Sequence, residues 1–125
     1  MLDENCYPDE KSLKKIAKWD IFTQGVDGLL DLIEENTNWA DRQIHRTGKR
    51  VIRYEYHTGG WSGNEEVIDA LQQNFFWFLF WEKSLRGGHY YFRIEHPERF
   101  GKILRQEMPT RGIGCGRAVY PPKEK

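Results

Sequence analysis

The residues of this chain that can do chemistry gather in two glycine-bearing stretches, HTGGWSGNEE at 57–66 and KSLRGGH at 83–89. Three chemistries are open to them. Gly59, Gly60 and Gly63 stand just before a predicted helix, where a glycine-rich turn points several backbone N–H groups at one spot. With the positive end of the helix dipole, that arrangement holds anions. Arg86 would add a forked pair of hydrogen bonds to a phosphate or carboxylate. Ser62 with His57 or His89 as base has the parts of an activated nucleophile. Trp61 and Arg86, flanked by His57 and His89, have the make-up of a protein-contact hot spot. Trp61 between small residues can also stack on a base, or fold back and seal the core.

Each chemistry meets an objection in the same residues. Glu65 and Glu66 occupy the first helical turn and repel an incoming anion. The phosphate-loop pattern and G-x-G-x-x-G are both absent. The stretch around Ser62 departs from a nucleophile elbow, because the second glycine follows the serine directly, and the chain is short for a hydrolase sheet. Ser62 and Glu65 stand at capping-box spacing, so Ser62 reads as a helix cap. His45, His57, His89 and His96 follow no recognised ligand spacing, so no metal and no cofactor is expected. Arg53, Glu55, Arg93 and Glu95 read as cross-strand charge pairs.

The elements that must position these residues follow from periodicity. Helices are predicted over 8–18 and 24–35 from their apolar faces. A segment at 41–46 reads as weak strand or helix. Alternation of Ile52, Tyr54 and Tyr56 with Arg53, Glu55 and His57 predicts a half-buried strand at 50–57. A helix is predicted at 63–73, and FFWFLFWEK at 75–83 reads as a strand apolar on both faces. A turn at 85–88 leads to a return strand at 89–95, a last short helix covers 97–104, and an irregular tail covers 105–125. The fold class is α+β: a small mixed sheet of three or four strands, with a β-α-β-β core at 50–95 packed by N-terminal helices. A crossover through one short helix makes strands 50–57 and 75–83 parallel. It brings loops 57–64 and 83–89 to one rim of the sheet, the edge where ligands of such sheets bind.

Bulk properties bound the function. A chain of 125 residues is read as one domain. Lysine plus arginine equals aspartate plus glutamate, 19 each, which disfavours general nucleic-acid binding. The acidic start MLDENCYPDE does not read as a signal peptide. The longest apolar run, FFWFLFW, is too short to span a bilayer. The chain is therefore expected to be soluble and cytoplasmic. Cys6 and Cys115 read as free thiols of a reducing compartment, with a bridge between the ends as the minor alternative. The aromatic run at 75–81 is either core or, if left uncovered, a surface for a homodimer or a host protein.

Three segments taken together, HTGGWSGNE, FWFLFW and S-x-R-G-G-H-Y-x-F, resemble a family of small uncharacterised bacteriophage and prophage proteins. The resemblance spans 57–95. It implies a phage-type accessory protein inside a bacterial host cell and supplies no catalytic residues. The expected function is thus non-enzymatic binding of a host or phage macromolecule. The expected contact surface is the loop cluster 57–64 and 83–89, with His57, Gly59, Gly60, Trp61, Ser62, Arg86 and His89. A nucleotide or other phosphorylated small molecule at the glycine-rich helix start is the first alternative, and a small hydrolase is the second.

Overall fold

The computed structural model describes residues 1–101. Four helices precede the sheet: α1 (Glu10–Lys18), α2 (Ile21–Gln24), α3 (Asp27–Glu35) and α4 (Ala40–Gln43). Strands β1 (Ile44–Thr47) and β2 (Val51–His57) follow, then helices α5 (Ser62–Leu71) and α6 (Phe75–Phe80). Strands β3 (Trp81–Leu85) and β4 (His89–Glu95) complete the sheet, and a 3₁₀ turn covers Pro97–Arg99. The chain is α+β. The helix expected to extend from 97 to 104 is only this turn within the described residues, and the tail at 105–125 lies outside them.

Local chemistry explains most boundaries. The Asp9 carboxylate accepts from the Ser12 N–H and starts α1 two residues later than Pro8. Asp20 caps α2 in the same way through the Phe22 N–H. The ambiguous segment at 41–46 contains both structures, a helical turn to Gln43 and then strand.

The largest departure from the sequence reading is FFWFLFWEK, expected as one strand. It is helix through Phe80 and strand only from Trp81. Asn74 decides this. Its Oδ1 accepts from the Phe76 N–H (2.8 Å) and caps the helix, while its Nδ2 donates to the Ile16 and Trp19 carbonyls (2.9 and 2.8 Å). One buried side chain thereby ends α1 and begins α6.

The sheet order is β1-β2-β4-β3, and every ladder is antiparallel. β2 and β3 run in the same direction, as a crossover requires, but β4 lies between them, so the parallel relation involves no shared hydrogen bonds. The seven-residue β2–β4 ladder pairs Ile52 with Ile94, Tyr54 with Phe92 and Tyr56 with Tyr90. β3 is shorter and bulged near Glu82, and takes the edge.

Tyr54, Tyr56, Phe92 and Ile94 face the helices. They form one core with Ile16, Leu29, Leu30, Ile33, Val67, Leu71 and Phe76. The Thr37 hydroxyl donates to the Ile33 carbonyl (2.7 Å), so the Tyr56 hydroxyl donates to Thr37 Oγ1 (2.8 Å). Arg46 at the margin of β1 pairs with Asp27, Asp31 and Glu34 of α3 at 2.9–3.3 Å. The opposite sheet face carries His45, Arg53, Glu55, His57, Lys83, His89, Tyr91, Arg93 and Glu95, all half-buried or exposed. No helix among the described residues is long and apolar enough to cross a membrane.

Candidate functional site

The two glycine-bearing bends meet. β2 and β4 pair to their shared end, where His57 stands opposite His89. One residue further on, the Thr58 N–H donates to the Gly88 carbonyl at 2.9 Å. Gly88 adopts φ +82°, and a Cβ there would lie 2.1 Å from Thr58 Oγ1, so the contact requires glycine. Antiparallel direction between β4 and its two neighbours puts the end of β2 and the β3–β4 turn on one rim, with β4 intervening.

At this rim the imidazoles of His57 and His89 touch, Nδ1 to Nδ1, at 2.7 Å. His57 Nε2 lies 3.4 Å from Glu55 Oε1, and the His57 side chain is only 18% exposed. Its ring packs edge-on against His45 (5.7 Å), His89 (4.9 Å) and Tyr91 (6.0 Å). The Lys83 ammonium sits over the Tyr91 ring at 5.0 Å. Alternation in four adjoining strands thus brings three imidazoles, a carboxylate, a phenol and an ammonium to one patch.

The remaining expected site residues divide. Arg86 is exposed in the β3–β4 turn. Gly59 and Gly60 take φ +64° and +76° in the bend after β2. Trp61 is turned inward: its indole N–H donates to the Cys6 carbonyl (3.3 Å), and its ring packs on Tyr7 (5.0 Å). Ser62 is the first residue of α5 and does not act as its cap; its hydroxyl bonds the Tyr7 hydroxyl at 2.7 Å. The segment before α1 therefore lies against the start of α5. Asn64 holds that start from within, through Asn38 N–H (2.9 Å) and the Asn38 and Thr58 carbonyls (3.2 Å each).

A second surface lies in the aromatic run at 75–81, which the sequence allowed either as core or, if uncovered, as a partner surface. α6 turns Phe76, Trp77 and Phe80 inward and leaves Phe75, Phe78 and Leu79 outside, with Phe78 83% and Phe75 66% exposed. Trp81 of β3 continues the apolar surface, while Leu85, paired with His89, is exposed on the opposite sheet face. Inward positions at i, i+1 and i+4 after an asparagine are the sequence signal for it. A cleft of about 300 Å³ bounded by Leu79, Trp81, Glu82, Arg93 and Glu95 borders it. Among the described residues, no group of three His, Cys, Asp or Glu side chains is placed to hold a metal ion.

No family model, curated protein or solved structure matches this chain.

Proposed function

We propose that this protein is a binding module that engages a host or phage protein through α6 and the adjoining β3–β4 hairpin. The observation that supports the reading is the exposure of Phe75, Phe78, Leu79 and Trp81 within seven consecutive residues. Burying one such side chain is worth about 1.5–3 kcal/mol, and folded monomers seldom leave a run of them in water. The bulge and the charges of Glu82 and Lys83 blunt the β3 edge against strand addition. The contact is therefore made by side chains, aromatic at the centre with Arg86 at the rim.

This reading keeps the hairpin half of the expected contact surface and moves its centre from Trp61 to Phe78. Trp61 and Ser62 are already engaged by Cys6 and Tyr7. The same engagement gives less support to a phosphorylated ligand at the start of α5. The bacterial, phage-type setting implied by the resemblance belongs to the proposal.

Affinity capture from a bacterial host lysate tests it. Phe78→Asp should lower recovery of the bound protein at least tenfold with an unchanged thermal midpoint, whereas Arg53→Ala should not. Equal recovery with Phe78→Asp would remove α6 as the contact. A sedimenting dimer that Phe78→Asp dissociates would identify the partner as a second copy.

A further inference from the structure

Three of the four histidines in the chain lie on one patch of the open sheet face. One hydrogen bond and one nearby carboxylate suggest an order of protons. The Glu55 carboxylate beside His57 Nε2 favours a proton on that nitrogen. His57 Nδ1 is then a bare lone pair. The 2.7 Å contact requires one proton between the two Nδ1 atoms, so His89 Nδ1 carries it. The consequence falls on the far nitrogen of His89. Its Nε2 holds a lone pair and takes part in none of the hydrogen bonds or ion pairs of the described residues.

His89 itself is half-buried. Gly87 lies beside it: a Cβ there would come within 3.4 Å of His89 Nε2. The carboxylate–imidazole–imidazole chain has the logic of a catalytic triad, in which an acid orients an imidazole and stabilises the charge it gains. Here the second imidazole is the terminal member. When His89 Nε2 takes a proton, the charge is shared towards His57 and Glu55.

The substrate class follows from what the patch lacks and what it offers. Among the described residues neither imidazole bonds a serine, threonine or cysteine side chain, which leaves the substrate itself as a source of the attacking hydroxyl. Lys83 lies over the Tyr91 ring on the same face, Arg86 stands in the turn before His89, and neither forms an ion pair with a described carboxylate. A substrate that joins a hydroxyl to a neighbouring anionic ester is a ribose phosphodiester.

We infer that the Glu55–His57–His89 chain makes His89 a general base for cleaving single-stranded RNA. His89 Nε2 removes the proton of a ribose 2′-hydroxyl, and the 2′-oxygen bonds to the adjacent phosphorus. The bond from phosphorus to the 5′-oxygen breaks, and that oxygen keeps the electron pair and takes a proton from water at the open face. Lys83 and Arg86 offset the charge that builds on the phosphoryl oxygens. The products are a 2′,3′-cyclic phosphate and a 5′-hydroxyl, and His89 returns its proton to solvent. His89 is the catalytic residue, while His57 and Glu55 are positioning residues. The groups that face the pair are Glu55 on β2, His45 on β1 and Tyr91 on β4, with Lys83 on β3 over Tyr91 and Leu85 opposite His89. Lys83 and Arg86 belong to the hairpin that also borders the α6 surface, but Phe78 and the rest of α6 take no part in this activity.

The test uses the full-length protein with a mixed-sequence single-stranded RNA and its all-deoxy counterpart. RNA should be cut to cyclic-phosphate ends while the deoxy strand stays intact. His89→Ala should lower the rate about 100-fold or more, the usual contribution of a general base. Glu55→Gln should lower the rate and displace the acidic limb of the pH–rate profile, which a purely structural role would leave in place. Ser62→Ala and Phe78→Asp should cut RNA as the parent does. Intact RNA, equal cutting of the deoxy strand, or undiminished cutting by a folded His89→Ala protein would each overturn the inference.

Discussion

At the scale of single residues, the rim depends on a glycine whose replacement meets two separate obstacles. Gly88 lies at positive φ, and a Cβ there would collide with Thr58 Oγ1. Thr58 is itself buried and cannot swing into solvent. Gly60 shares the positive φ but has open space around it. Left-handed backbone alone costs a non-glycine residue about 1–2 kcal/mol. Gly60→Ala should therefore lose roughly that amount, and Gly88→Ala should lose about 1–3 kcal/mol more, because either the Thr58 contact or the β2–β4 pairing must yield. Urea unfolding of both variants makes the comparison. Equal losses would mean that the fit between Gly88 and Thr58 contributes nothing to the rim.

At the scale of elements, the junction of α1 and α6 rests on Asn74, which serves three backbone groups at once. Asn74→Ala removes a helix cap worth about 1 kcal/mol and takes one donor from the buried Ile16 carbonyl, which keeps the Trp19 N–H, and from the half-buried Trp19 carbonyl, roughly 1–3 kcal/mol more. Asn74→Asp keeps the cap but turns a carboxylate towards those carbonyls, so it should not restore stability. Parental stability in Asn74→Asp would show that capping is the whole of its role. Asn74 also shows where the sequence was legible and where it was not. The alternation of Ile52, Tyr54 and Tyr56 has one reading, and β2 lies where that reading puts it. Gly87-Gly88 marks the hairpin, and a handed crossover is enough to bring its turn beside the end of β2. FFWFLF is apolar at every position, so strand and helix periods fit it equally, and only the preceding cap separates them. The place of β4 between β2 and β3 depends on which ladder is longer and better paired, a comparison that neighbouring residues do not reveal. The contacts of Tyr7 and Cys6 with Ser62 and Trp61 span 55 positions and leave no local pattern. The histidine patch was half legible: His57 and His89 could be paired from topology, but the carboxylate and proton order required the register.

At the scale of the whole molecule, global stability is tied to pH through two phenols at the centre of the core. Burial pushes the Tyr54 hydroxyl well above the usual tyrosine range, and the nearby Glu34 carboxylate pushes it the same way. Burial also raises Tyr56, with its bond to Thr37 acting in the opposite sense. In both cases the folded protein holds the proton more tightly than the unfolded chain. Their contribution is therefore complete below the unfolded value near pH 10 and is lost as pH rises towards the folded values. Above about pH 10, each phenol should lower the unfolding free energy by up to about 1.4 kcal/mol per pH unit. Small domains hold only about 5–15 kcal/mol in reserve, so two such groups can unfold the protein in alkali. Tyr56→Phe loses its bond to Thr37, about 1 kcal/mol at neutral pH, but has one fewer proton to release on unfolding. It should start less stable and decline less steeply, by up to about 1.4 kcal/mol per pH unit. Urea unfolding from pH 8 to pH 12 reads both the intercept and the slope. Parallel lines for the two proteins would show that the Tyr56 phenol ionises inside an intact core, which would contradict the close packing of sheet against helices on which both surfaces are built.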